Sequence, residues 1–119
     1  MKKAGITMLL VGLTILAACT NNKEEDLPNA CITTDMKYDA DMKNILVNQG
    51  CVGCHNSQSA NGNIVLDNYE DVKANINKIL PAIKHDASLS SNKFMPPGGQ
   101  LSQCEIDKIQ AWSNDGTPQ

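Results

Sequence analysis

Large flat side chains are scarce in this chain of 119 residues. Aromatic residues make up only 3% of it, and they are Tyr38, Tyr69, Phe94 and Trp112. A core built from these residues alone would be poor in bulk, and a domain of this size already buries a smaller fraction of its surface than a larger one. The composition therefore agrees with an interior that a bound prosthetic group helps to fill.

The chain contains no arginine, and the positive charges of residues 19–119 come from eight lysines. Set against thirteen acidic residues, they give residues 19–119 a formal charge of −5. Nucleic acids are bound through basic surfaces, so this charge disfavours a nucleic-acid partner. It favours protein partners that present lysine-rich or apolar patches.

An apolar run as long as a membrane span is also lacking. The candidate run extends from Ala4 to Ala18 behind Lys2 and Lys3, which is shorter than the roughly 20 residues that a membrane-spanning helix needs. A short positive segment followed by such a run is typical of an export signal. We therefore predict a signal peptide over residues 1–18.

The end of that run, Leu16-Ala17-Ala18-Cys19, resembles the lipobox of bacterial lipoproteins, in which cleavage precedes a cysteine that is then acylated. The resemblance implies a lipid anchor on Cys19 and a polar tether over residues 19–34. The protein would be held at a bacterial membrane, facing the periplasm or the cell surface. An uncleaved anchor and an ordinary secreted protein are the alternatives.

The segment Cys51-Val52-Gly53-Cys54-His55 has the spacing of a c-type haem attachment site. Each thiol adds to a vinyl group of the porphyrin, and the adjacent histidine becomes the proximal ligand of the iron. A structural zinc site would need a second pair of ligands, which His85 and Cys104 do not form. A thioredoxin-like thiol pair would need a βαβ unit, and little of this sequence is typical of strand. We predict one covalently bound haem c.

Two cysteines, Cys31 and Cys104, remain after the lipid and haem sites are assigned. In an oxidising compartment they are candidates for a disulfide. Such a bridge would tie the segment before the first helix to the start of the last one. Two free buried thiols are the alternative.

The apolar periodicity predicts an all-α domain over residues 35–119. The expected elements are a helix from Asp39 stopped by Gly50, a helix capped by Asp67 or Asn68, a break or new helix start at Pro81, an irregular loop over 86–100, and a last helix opened by a Ser102–Glu105 capping box and ending near Gly116.

A low-spin haem iron takes a second axial ligand, and the candidates are Met36, Met42, His85 and Met95. Met95 is favoured because Pro96 disfavours a helical backbone before it and stiffens the loop that would present the thioether. Met42 lies on an apolar helical face and is better explained as core. His85 would instead give bis-histidine ligation and lower the reduction potential.

Taken together, the helix before the attachment segment, the Phe94-Met95-Pro96-Pro97 loop and the last helix with Trp112 resemble a small class I cytochrome c of the single-haem lipoprotein type. The resemblance covers roughly residues 31–118. It implies a cytochrome c fold of three to five short helices around one covalently attached haem, with the first and last helices in contact.

That resemblance also implies roles for single residues. Cys51 and Cys54 would attach the haem, His55 would be the proximal ligand and Met95 the distal one. Many members have an aromatic residue in the first helix, where this chain has Ile45 and Leu46. The helix contact against Trp112 is therefore expected to be aliphatic.

The predicted function is one-electron transfer between redox protein partners, with no enzymatic activity and no small-molecule substrate. The alternative is a haem-based sensor or peroxidase-like protein with a displaceable distal ligand. A two-haem peroxidase would need a second Cys-x-x-Cys-His segment, and the sequence has none.

Overall fold

The computed structural model describes residues 30–119, and this part of the chain is mostly helical. The predicted signal peptide, the predicted acylation site Cys19 and the predicted tether up to residue 29 lie outside the described residues. The elements in chain order are a π-helical turn (Tyr38–Met42), α1 (Lys43–Asn48), α2 (Cys51–Cys54), β1 (His55–Asn56), β2 (Ser59–Ala60), a 3₁₀ turn (Asn61–Asn63), α3 (Tyr69–Ile83), a second 3₁₀ turn (Ser91–Lys93) and α4 (Gln103–Asn114). Within residues 30–119, no helix has the length and apolarity needed to cross a membrane.

The π-helical turn continues without interruption into α1, because Met42 and Lys43 both keep right-handed helical backbone angles. Tyr38, Met42 and Leu46 are buried along this combined helix. The chain leaves it at Gly50, whose φ of 70° is a left-handed conformation that glycine adopts without a steric penalty. The predicted stop at Gly50 is confirmed.

Helix α3 begins where Asn68 accepts a hydrogen bond from the backbone N–H of Asp71, which is one of the two predicted caps. The predicted break at Pro81 is wrong, since α3 continues through this residue to Ile83. Pro81 lies two residues from the end of the helix and removes the N–H partner of only one carbonyl, that of Asn77. Asn77 is exposed, and an unpaired carbonyl costs less there than in the core, so the helix persists.

Helix α4 starts with the predicted capping box, in which Ser102 and Glu105 each bond the backbone of the other. Its Trp112 is fully buried. The ring of Trp112 lies 6.3 Å from that of Tyr38 and 6.5 Å from that of Tyr69. The expectation of a purely aliphatic contact against Trp112 is therefore wrong, because the aromatic residue of the first helix lies in its π-helical turn, upstream of Ile45.

The C-terminal tail ties these elements together. The carbonyl oxygen of Pro118 accepts hydrogen bonds from Trp112 Nε1 at 2.7 Å and from the backbone N–H of Tyr38 at 3.1 Å. The hydroxyl of Tyr69 donates to the carbonyl of Thr117 at 2.8 Å. The Trp112 indole N–H, the Tyr69 hydroxyl and the Tyr38 backbone N–H are thus satisfied by the main chain of residues 117 and 118.

A disulfide joins Cys31 to Cys104, with the Cα atoms 5.6 Å apart. It connects the segment before the π-helical turn to the first turn of α4, 73 positions further along the chain. The bridge therefore links the segment that precedes the first helix covalently to the last helix.

Glu105 links α4 to the end of α1. Its carboxylate accepts hydrogen bonds from the side chain of Gln49 and from the backbone and hydroxyl of Ser102. Burial alone would raise the pKa of Glu105, but these hydrogen bonds outweigh burial and hold the pKa below its usual value.

We predict that replacing both bridged cysteines, Cys31→Ser with Cys104→Ser, lowers the free energy of unfolding by up to roughly 4 kcal/mol, because the open chain regains the entropy that a closed loop of this size removes. Guanidinium unfolding of the wild type and the double variant measures the difference. Equal stability of the two proteins would show that the bridge does not restrain the unfolded chain.

A second prediction concerns acid stability. Because the folded state lowers the pKa of Glu105, its contribution to stability is complete above the unfolded value of about 4.3 and is lost as the pH falls through the folded value. The Glu105→Gln variant should therefore lose stability at pH 7 and show a flatter decline below roughly pH 4. Glu70→Gln, in the first turn of α3, is the matched control, and an equal flattening there would contradict the assignment to Glu105.

Candidate cofactor site

The attachment segment forms a single helical turn, α2, between the left-handed Gly50 and the start of β1 at His55. Cys51 is half-buried and packs against the hydrophobic core, whereas Cys54 is exposed. Both are free thiols. The structure thus presents the two predicted attachment thiols one helical turn apart, at the boundary between core and solvent.

His55 is half-buried and is held by the segment that precedes α3. Its Nδ1 lies 3.3 Å from the carbonyl oxygen of Ile64, and its own carbonyl accepts a hydrogen bond from Leu66 at 2.8 Å. A carbonyl oxygen only accepts, so this contact places the proton on Nδ1. The Nε2 atom then carries the lone pair that a metal ion requires.

Asn56 fixes the turn that follows the histidine. Its side-chain amide donates to the carbonyl of Val52 at 2.7 Å, and its Oδ1 accepts from the backbone N–H groups of Gln58 and Ser59. These bonds hold the short β1–β2 hairpin against α2. The sequence analysis gave Asn56 no role, although an asparagine at the start of a polar turn is a common Asx-turn signal.

The thiol of Cys51 is a poor candidate for disulfide exchange. Burial raises its pKa, and the nearby carboxylate of Glu105 acts in the same direction. Reactive cysteines have lowered pKa values because the thiolate is the nucleophile. The local environment therefore favours a protonated thiol at neutral pH.

The side chains of Cys51, Cys54 and His55 do not form a joint metal-ion site in the described residues. Among residues 30–119, no three His, Cys, Asp or Glu side chains come together as a group that could hold a metal ion. The three functional groups of the segment thus do not converge on one point.

Met95 lies on the loop between α3 and α4, half-buried against the same core that Cys51 contacts. Its backbone N–H donates to the carbonyl of Ala82, in the last turn of α3, at 3.0 Å. A cis peptide bond joins it to Pro96. The predicted distal ligand is therefore on a segment anchored to a long helix.

The other candidate axial ligands have different surroundings. Met36 and Met42 are 2% and 0% exposed and belong to the core. His85 follows α3 with a left-handed φ of 53°, and its ring stacks on that of Phe94 with the centroids 4.5 Å apart. In the described part of the chain, its Nε2 is buried without a hydrogen-bond partner.

Two clefts lie near these residues. One, of about 540 Å³, is bordered by His85, Phe94 and the segment Pro96–Gln100. The other, of about 190 Å³, is bordered by Leu46, Val52 and Leu66 next to the attachment segment. Met95 is not part of either wall.

Comparison of the chain with protein-family models, with curated proteins and with solved structures finds no match.

Proposed function

We propose that this protein is a membrane-tethered c-type cytochrome with one covalently attached haem that carries one electron between redox protein partners. The observation that carries the proposal is the contact of His55 Nδ1 with the carbonyl of Ile64, next to two free thiols at the attachment spacing. This contact leaves Nε2 free to bind iron.

The residues of this chain fit a haem group. Cys51 and Cys54 would hold the porphyrin by thioether bonds, His55 Nε2 would bind the iron, and the Met95 thioether would complete its coordination. The bound haem would supply the ferric–ferrous couple. The protein residues themselves orient the group and exclude water from it.

The Ile64 carbonyl has a specific part in this scheme. A ligating histidine is oriented, and made more basic, by donating its second ring N–H to a carbonyl or carboxylate. Ile64 packs against the core beside Leu66, so the carbonyl is fixed. The geometry therefore holds the imidazole in one tautomer and one orientation.

Electron transfer is favoured over the sensor or peroxidase alternative because Met95 is on a constrained segment. Its backbone is bonded to α3, and it precedes two prolines. A thioether fixed in this way would keep the second axial position filled, leaving none for an external ligand. A thiol–disulfide function is disfavoured by the raised pKa of Cys51.

The membrane tether rests on the sequence around Cys19. Acylation there would hold the domain at the membrane and raise its local concentration near membrane-bound partners. We assign the protein to the cell envelope on this basis, as part of the same proposal.

Covalent haem attachment is tested by expressing the full chain in a bacterial host that matures c-type cytochromes. We expect a red protein whose haem stays attached in denaturant and whose reduced pyridine spectrum shows two thioether bonds. Cys51→Ser with Cys54→Ser should remove the attached haem, whereas Cys31→Ser with Cys104→Ser should retain it. A colourless, folded wild-type protein would refute the proposed function.

The distal ligand is tested with Met95→Ala. We expect this variant to keep its haem, to lose the weak near-infrared sulfur-to-iron band of the ferric protein, and to bind carbon monoxide when reduced, because the second axial position opens. Met42→Leu conserves volume in the core and is the control that should keep the band. Persistence of the band in Met95→Ala would exclude Met95 as the ligand, and carbon monoxide binding by the wild type would favour the sensor alternative.

A further inference from the structure

We propose that His85 is a positioning residue for Met95, and that it acts by stacking on Phe94. The inference rests on the proposed function, in which Met95 is the distal ligand of the haem iron. It assigns a role to a histidine that otherwise has no place in the site.

The backbone brings His85 and Met95 together at the end of α3. The backbone N–H of His85 and that of Met95 both donate to the carbonyl oxygen of Ala82, at 3.4 Å and 3.0 Å. The turn at His85 and the loop at Met95, ten residues apart in sequence, are thus both bonded to the same oxygen atom. A change in the turn at His85 is transmitted directly to the start of the Met95 loop.

The side chains add a second connection. The rings of His85 and Phe94 are parallel to within 4° and their centroids are 4.5 Å apart, which is the distance of a favourable aromatic pair. Phe94 has an extended backbone and immediately precedes Met95. Holding the Phe94 ring therefore fixes the residue through which the chain enters Met95.

The backbone angle at position 85 explains why the stacking residue is a histidine. The φ of 53° is left-handed, a conformation in which asparagine, aspartate and histidine are enriched several-fold among non-glycine residues. Of these three residues, only histidine has a flat ring. It combines the left-handed end of α3 with the stack on Phe94 in one residue.

The ring of His85 lies at the edge of a cleft, where its stack on Phe94 holds it. His85 and Phe94 border the cleft of about 540 Å³, and Met95 does not. Nε2 has no hydrogen-bond partner among residues 30–119, so stacking, rather than a polar bond from this nitrogen, holds the ring. His85 therefore acts on Met95 through Phe94 and the Ala82 carbonyl.

Two substitutions at position 85 separate the ring from the backbone angle. His85→Asn keeps the preference for a left-handed backbone and removes the ring, whereas His85→Phe keeps a ring. The readout is the second-order rate constant for binding of added imidazole to the ferric protein, which depends on the fraction of molecules whose Met95 has left the iron. The near-infrared sulfur-to-iron band is followed in the same samples.

We expect His85→Asn to raise this rate constant roughly 2- to 10-fold, an increase that corresponds to the free energy of one aromatic pair. His85→Phe should raise it less, because phenylalanine keeps the stack and loses only the preference for a left-handed backbone. Phe94→Leu removes the stack from the other side and should reproduce the increase. Ile76→Val, a conservative core change in α3 with a modest cost in stability, is the control that should not change the rate.

A wild-type rate in His85→Asn, or an equal increase in His85→Asn and His85→Phe, would overturn the inference. So would a Met95→Ala variant that stays low-spin and becomes high-spin only when His85→Asn is added, because His85 would then be a ligand itself. Failure of the proposed function is distinguishable, since the wild type would then carry no covalent haem.

Discussion

The burial of Trp112 against two tyrosines is the interaction on which the rest of the fold depends. Tyr38 belongs to the π-helical turn, Tyr69 to α3 and Trp112 to α4, so three separate parts of the chain meet in one aromatic cluster. The carbonyl of Pro118 accepts hydrogen bonds from two of them. Since buried donors without partners are costly, the short C-terminal tail is as necessary to this cluster as the rings are.

Two helices connect this aromatic cluster to the candidate site. The combined first helix leads to Gly50 and presents Cys51, and Glu105 binds its last turn through Gln49. Helix α3 leads to Ala82, whose carbonyl holds the Met95 loop. In the proposed cytochrome, the attachment segment and the distal ligand are therefore both carried by helices that pack on the aromatic cluster, which suits a carrier whose iron surroundings change little between oxidation states.

The sequence predicted well those features that depend on local chemistry. The Gly50 stop, the Asn68 cap and the Ser102–Glu105 box each rest on one or two side chains, and all three are present. The break predicted at Pro81 was wrong because the effect of a proline on a helix depends on its distance from the helix end. The β1–β2 hairpin was not predicted because two-residue strands have no periodicity. Haem attachment and the ligand assignments remain predictions. The Ile64 and Ala82 carbonyls could not be found, since any residue type supplies a main-chain oxygen.

The π-helical turn at the start of the first helix restricts the number of residues that this segment can contain. A π-turn accommodates one more residue than the α-turn that it replaces, and each residue of a regular helix rotates the chain by about 100°. A deletion within Tyr38–Met42 that restored regular geometry would swing the N-terminal side of the turn around the helix axis and carry the Tyr38 ring away from the indole. Evolution can thus vary the exposed side chains of this segment, Asp39 and Ala40, far more freely than it can vary how many residues the segment contains.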